Sequence, residues 1–262
     1  ESQITALYGQ LTGKYVTLTT LPVSISTALA TAVLPSIASS MAQKDIKTVR
    51  RKIDVSLRLT MIISIPAAIG MGVLADEILL LLFPNYSGGG NLLKWGAISI
   101  IFLALCQIIT GILQGIGKMK TPAKNAFIGA IIKIPINYFL IVIPSINVIG
   151  AVISTTVCYI VASILNFITL KKATKIIPDY NGILFKPTIA SIVMGVVCYF
   201  SYKGIYYISK SNTISTLISI FFAMIIYIVS LALIGGFKRE DLTLLPMGRK
   251  IINILDKYRL ID

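Results

Sequence analysis

The 262-residue chain contains no histidine, and it carries only 10 acidic residues against 24 basic ones. The missing histidine excludes every His-dependent triad, His metal site and His acid–base pair within the chain. Three cysteines are too few for a small disulfide scaffold, and none is paired at metal-ligand spacing. No loop offers two carboxylates to a catalytic metal, and no Ser or Thr has a base beside it in sequence. Neither an enzyme nor a bound metal or cofactor is expected. Charged residues make up 13% of the chain and hydrophobic residues 56%, with a mean hydropathy of +0.87. A soluble domain carries about twice that charge. So little charge cannot coat a water-soluble globule, and so much apolar residue excludes intrinsic disorder. The composition is that of an integral membrane protein. The chain begins at Glu1, not Met, and shows no signal peptide, so a piece of a longer protein is expected.

A net charge of +14 raises nucleic acid as a partner, but the placement of the charges excludes it. The basic residues form short clusters between long apolar runs, as cytoplasmic loops do. A membrane-spanning helix needs about 20 mostly apolar residues. Seven runs qualify: Tyr15–Ser40, Val55–Leu74, Leu92–Leu113, Asn125–Ile143, Ile149–Leu170, Pro187–Tyr207 and Thr213–Gly235. None alternates with period two, so strands are excluded. Basic loops (Lys44–Asp54, Lys118–Lys124, Lys171–Lys186 and the segment after Gly235) alternate with basic-poor ones. The positive-inside rule then places the N-terminus outside and the C-terminus in the cytoplasm. Met247–Asp262 reads as a short basic amphipathic helix on the inner leaflet, with membrane lipid as its partner.

Polar residues within the runs are the candidate site. Lys133 lies nine residues after Lys124, about 13 Å along a helix and near the middle of a ~30 Å core. A charge there faces a cavity, a partner or, by snorkelling, the interface. Asn137 follows one turn later on the same face. Arg58 lies only a few residues into the second run, where snorkelling accounts for it. Thr20, Ser24, Thr27 and Thr31 fall within about 60° of one another on the first helix. Such a stripe lines a water-filled cavity or serves close packing through small residues. Gln107, Thr110 and Gln114 form a second, weaker stripe. Pro22, Pro35, Pro66 and Pro135 interrupt their helices. No Asp or Glu falls in the seven runs, and Cys106, Cys158 and Cys198 read as inert packing residues.

Three stretches carry a resemblance. They are Leu21-Pro22 with Thr27–Ile37; Leu57-Arg58-Leu59 with Ile65–Gly70 and Leu82-Phe83; and Leu113–Pro122 with Asn125 and Ile132–Tyr138. Together they resemble the C-terminal half of exporters of the stage V sporulation protein B and polysaccharide-biosynthesis type. Those belong to the multidrug, oligosaccharidyl-lipid and polysaccharide (MOP) flippase superfamily, with the lipid II flippases. The resemblance implies two helical bundles, alternating access, and transfer of a lipid-pyrophosphate-linked sugar between leaflets of a bacterial plasma membrane. It makes Lys133 a candidate ligand of the pyrophosphate, and it makes an N-terminal half of the same protein a partner.

The expected fold is an all-α membrane bundle of about seven helices, the second half of a two-bundle transporter. Residues 1–14 read as an outer segment, 15–170 as a five-helix core, 171–240 as two additional helices, and 241–262 as the cytoplasmic tail. The expected substrate-binding residues are Lys133, Asn137, Thr20, Ser24, Thr27, Thr31, Arg58 and Gln107. A flippase for an anionic lipid-linked sugar fits this set. A drug exporter for cations would want a buried acid, and a membrane polymerase would want an acid–base pair.

Overall fold

A computed structural model describes residues 8–85, 88–143, 146–175 and 178–236. The proposed amphipathic tail lies outside these residues. Eight helices are present among them: α1 (Gln10–Ala42), α2 (Ile46–Val73), the short α3 (Ala75–Leu82), α4 (Gly90–Gly115), α5 (Lys120–Ile141), α6 (Val148–Thr174), α7 (Asn181–Ser209) and α8 (Asn212–Leu233). All but α3 are long and apolar enough to cross a membrane. The expected count of seven therefore holds, but several boundaries move. Helix α1 starts at Gln10 with a π-helical stretch to Val16, and α2 starts at Ile46. Asp45 fixes that start: its Oδ1 accepts a 3.0 Å bond from the Thr48 N–H, the usual device for satisfying an orphan amide at a helix start. The longer α2 corrects the reading of acid-free spans, because Asp54 now lies inside it, one turn before Arg58.

Helix α4 is the hub, packed on α1, α2 and α6. Its sequence Gly111-Ile-Leu-Gln-Gly115 is a small-xxx-small face that lets α1 approach closely. A Cβ on Gly111 would stand 2.7 Å from the Ala30 carbonyl oxygen, and one on Gly115 3.0 Å from that of Leu34. Further along the same crossing, Tyr15 Oη and Ser99 Oγ share a 3.0 Å hydrogen bond. Just past the end of α4, Gly117 (φ +84°) makes a left-handed turn that lets the Lys118 N–H bond the Leu113 carbonyl at 2.8 Å.

Helices α7 and α8 form a hairpin laid against α2. Pro66 explains part of that docking. A proline has no N–H, so it leaves the carbonyl four residues earlier without its helical partner. That carbonyl belongs to Ile62, and the Tyr227 hydroxyl of α8 donates to it at 2.7 Å. The hairpin thus supplies the bond that the α2 proline removes, the condition under which membrane helices tolerate proline. At the opposite end, Asn212 donates to the Glu77 carbonyl (3.1 Å) and accepts from the Tyr202 hydroxyl (2.9 Å), tying α3, α7 and α8 together.

Candidate functional site

The site follows from which side of each helix is already occupied. On α4, Cys106 faces α6, where Asn166 Nδ2 reaches its sulfur at 3.7 Å, and Gly111 faces α1. Five residues at 100° each put these contacts about 140° apart. Gln107, Thr110 and Gln114 fall within that arc, and all three are half-buried. On α1, Ala30 and Ile37 face α4. The far side of α1 is held by α2: Lys52 Nζ donates to the Ser36 carbonyl and to Ser40 Oγ, both at 2.8 Å. Thr20, Ser24, Thr27 and Thr31 lie about 180° from that Lys52 contact. They therefore look into the space between α1 and α6, above the Gln107 face of α4.

All four stripe residues are exposed. Close packing against a helix of the described bundle is thereby set aside for them. Each hydroxyl bonds a carbonyl of its own helix: Thr20 to Val16 (2.9 Å), Ser24 to Leu21 (2.6 Å), Thr27 to Val23 (3.2 Å) and Thr31 to Thr27 (2.6 Å). The donor proton is thus used internally, and an oxygen lone pair points outward. The open faces of α7 and α8 differ in kind. There Ile192, Val196, Phe200, Leu217, Phe221 and Ile228 are each more than half exposed, a surface suited to acyl chains.

The remaining predicted residues divide. Lys133 is half-buried on α5, one turn from Gly129, where a Cβ would stand 2.8 Å from the Cys158 carbonyl of α6. It stands on the α5–α6 seam. Asn137, also half-buried there, accepts a 3.1 Å bond from Ser154 Oγ of α6. Arg58 is a correction. It is only 2% exposed, so the shallow snorkelling expected of it does not occur. Its Nη1 would be 3.5 Å from a Cβ on Gly182, and the Asp179 carboxylate 2.8 Å from the same point. Arg58 thus lies between α2 and the start of α7, with Asp179 nearby, away from the α1–α6 groove.

Sequence reading passed over one buried pair. Asn125 Nδ2 donates to Asn166 Oδ1 at 2.8 Å, joining α5 to α6. Both residues are largely or fully buried. Two amides interrupting apolar runs were a usable signal, because a buried amide needs a partner. Among the described residues no group of three or more potential metal ligands comes together.

The family model for Lipid II flippase MurJ matches residues 15–228. The chain belongs to that family. It is 27% identical over 252 residues to stage V sporulation protein B of Bacillus subtilis, covering 95% of this chain and 48% of the relative. It is 28% identical over 182 residues to Lipid II flippase MurJ of the same organism, covering 68% and 32%. A probable low-salt glycan biosynthesis flippase of Haloferax volcanii is 25% identical over 210 residues, 80% of this chain and 43% of the relative. The chain thus spans about half the length, or less, of these relatives. A solved structure of Lipid II flippase MurJ in an inward closed conformation superposes with a TM-score of 0.61 at 20% identity, covering 80% of this chain and 43% of the other. The fold is that of one part of a MOP-superfamily transporter, and the chain is a multi-pass membrane protein of that superfamily.

Proposed function

We propose that the chain forms one half of a flippase that moves a lipid-pyrophosphate-linked saccharide from the inner to the outer leaflet of a bacterial plasma membrane. The observation that carries this reading is the groove between α1 and α6. One wall is a row of exposed hydroxyls and the floor carries the Gln107 and Gln114 carboxamides with Thr110 between them, whereas the open faces of α7 and α8 are aliphatic and aromatic. Lipid chains gain nothing from such a groove, and a polar head does. Lys133, on the α5–α6 seam, supplies the positive charge that a pyrophosphate needs, with Asn137 beside it. The rest of the cavity comes from an N-terminal half, which the double length of the relatives supports.

The basic turns at Lys44–Asp54, Lys118–Lys124 and Lys171–Lys186 face the cytoplasm in this reading, with the start of α1 outside. Outward movement of an anionic head runs down an inside-negative potential, a gain of about 2.3 kcal/mol per charge per 100 mV. The test fills the groove. In the full-length protein, Thr27→Leu with Thr31→Leu should leave abundance unchanged and make the lipid-linked precursor accumulate in the inner leaflet. Normal export by that double variant at normal abundance would remove the groove from the pathway.

A further inference from the structure

At the end of the bundle opposite the basic turns, the α1–α6 groove opens beside a cavity of about 540 Å³. It sits over the start of α4. Gln10 of α1, Asp76 of α3, the Gly88–Gly90 backbone, Asn91 of α4 and Asn147 at the start of α6 supply its polar surface. Leu80, Leu92 and Val148 supply an apolar one. Gln10 presses on the glycine run: a Cβ on Gly88 would meet its Nε2 at 2.8 Å. Asp76 is held by Lys94 of α4.

Asn147 singles this cavity out. Its backbone sits at φ +41°, ψ −118°, a region open to glycine and strained for other residues. The turn is pinned there. The Asn147 N–H bonds the Ile143 carbonyl at 2.8 Å, and the Gly150 N–H bonds the Asn147 carbonyl at 2.9 Å. Glycine would adopt this conformation without strain. The sequence instead keeps a carboxamide on the cavity wall, and strain retained at a lined cavity points to use of the side chain.

The lining chemistry selects the occupant. Three carboxamides each donate and accept, and one carboxylate accepts only. A ring with neighbouring hydroxyls presents both functions, and its C–H face suits the Leu80, Leu92 and Val148 side. A phosphate does not fit. No Lys or Arg lines the cavity among the described residues; the two lysines beside it are engaged by lining groups, Lys94 by the Asp76 carboxylate and Lys14 by the Gly88 carbonyl at 3.0 Å. We propose that this cavity is a saccharide subsite at the outer mouth of the groove, which receives the neutral sugar part of the substrate. Its place in transport rests on the flippase reading above. Its binding chemistry does not.

The experiment measures binding of soluble sugars to the full-length protein in detergent by saturation-transfer NMR. The probes are maltose and di-N-acetylchitobiose, with inorganic pyrophosphate as the anion control. At least one disaccharide should bind, and Asn91→Ala and Asn147→Gly should each weaken it about tenfold. Asn147→Gly should at the same time raise the melting temperature, because it relieves the turn. A residue needed only for the turn would not separate these two effects. Absence of saccharide binding to folded protein overturns the proposal. So does pyrophosphate binding that the same substitutions abolish, or unchanged saccharide binding by Asn147→Gly. No step of the assay needs flipping. Sugar binding with export abolished only by other causes leaves the subsite standing, whereas normal export without any sugar binding sinks the subsite alone.

Discussion

Lys133 and Arg58 are both cations within apolar helices, and their surroundings give them different work. Arg58 is closed over by α2 and the start of α7, with Asp54 one turn away on its own helix and Asp179 beside Gly182. Removing one charge from such a setting costs about 3–5 kcal/mol, because the remaining charges lose their compensation. Arg58→Met should therefore lower the melting temperature and the yield of folded protein, as read by thermal unfolding in detergent. Lys133 is half-buried on a helix packed mainly against α6. Lys133→Met keeps the apolar stem and drops the charge, so it should insert at normal abundance and lose precursor export. Lys133→Arg should keep part of that export, since charge rather than a bidentate fork is what lysine offers. Normal export by Lys133→Met would reduce the residue to a snorkelling one. Both cations were visible in sequence, and the structure departs from the expectation at Arg58, which is buried beside the start of α7. The burial of Arg58 was not legible because α2 begins at Ile46, with Asp45 as its cap, rather than at Val55. The twelve residues of helix before Arg58 carry Lys47, Arg50, Arg51, Lys52 and Asp54, and hydropathy alone counts such a stretch as loop.

The elements themselves were legible because each apolar run approaches the length that a bilayer requires. Their facing was not, because an apolar helix gives no moment to orient it. The α1 stripe can be counted from its spacing, but its exposure in the described bundle cannot, because that depends on Lys52 holding the opposite side of α1 against α2. Pro66 could be seen as an interruption, but its compensation by Tyr227 depends on a residue 161 positions away. That pairing is testable. Tyr227→Phe leaves the Ile62 carbonyl without its donor and should destabilise the fold by about 1–3 kcal/mol. In a Pro66→Ala background the helix supplies its own N–H, so the same substitution should cost much less. Chemical or thermal unfolding of the four proteins gives the cycle, and an equal cost in both backgrounds would contradict the compensation. The cap on α2 has a pH signature. The Thr48 side-chain and backbone bonds hold the Asp45 carboxyl below its usual range. A depressed folded pKa means stability that is present above about pH 4 and is lost as pH falls through the folded value. Asp45→Asn should lessen that acid sensitivity in thermal unfolding at pH 3 to 7.

For the whole molecule, the alternation of basic turns predicts the proposed orientation, and single-cysteine labelling checks it. An impermeant thiol reagent added to intact cells should not reach cysteines at Gln43 or Thr121; labelling at either would invert the topology. Export should fall when the membrane potential is collapsed and persist when only the pH gradient is removed. The reverse result would favour proton coupling. In the proposed flippase the open face of α1 borders a water-filled path for a polar head. In the full-length protein freed of Cys106, Cys158 and Cys198, cysteines at Thr27 and at Ile228 can be compared by their reaction rates with a water-soluble maleimide. Both positions are exposed on long apolar helices, so exposure in the bundle does not distinguish them, whereas the two environments do. The thiol at position 27 should react readily and be protected by added lipid-linked saccharide, while the thiol at position 228, facing acyl chains, should stay inert. Equal inertness at both positions, or reaction at position 27 that no lipid-linked saccharide slows, would contradict it.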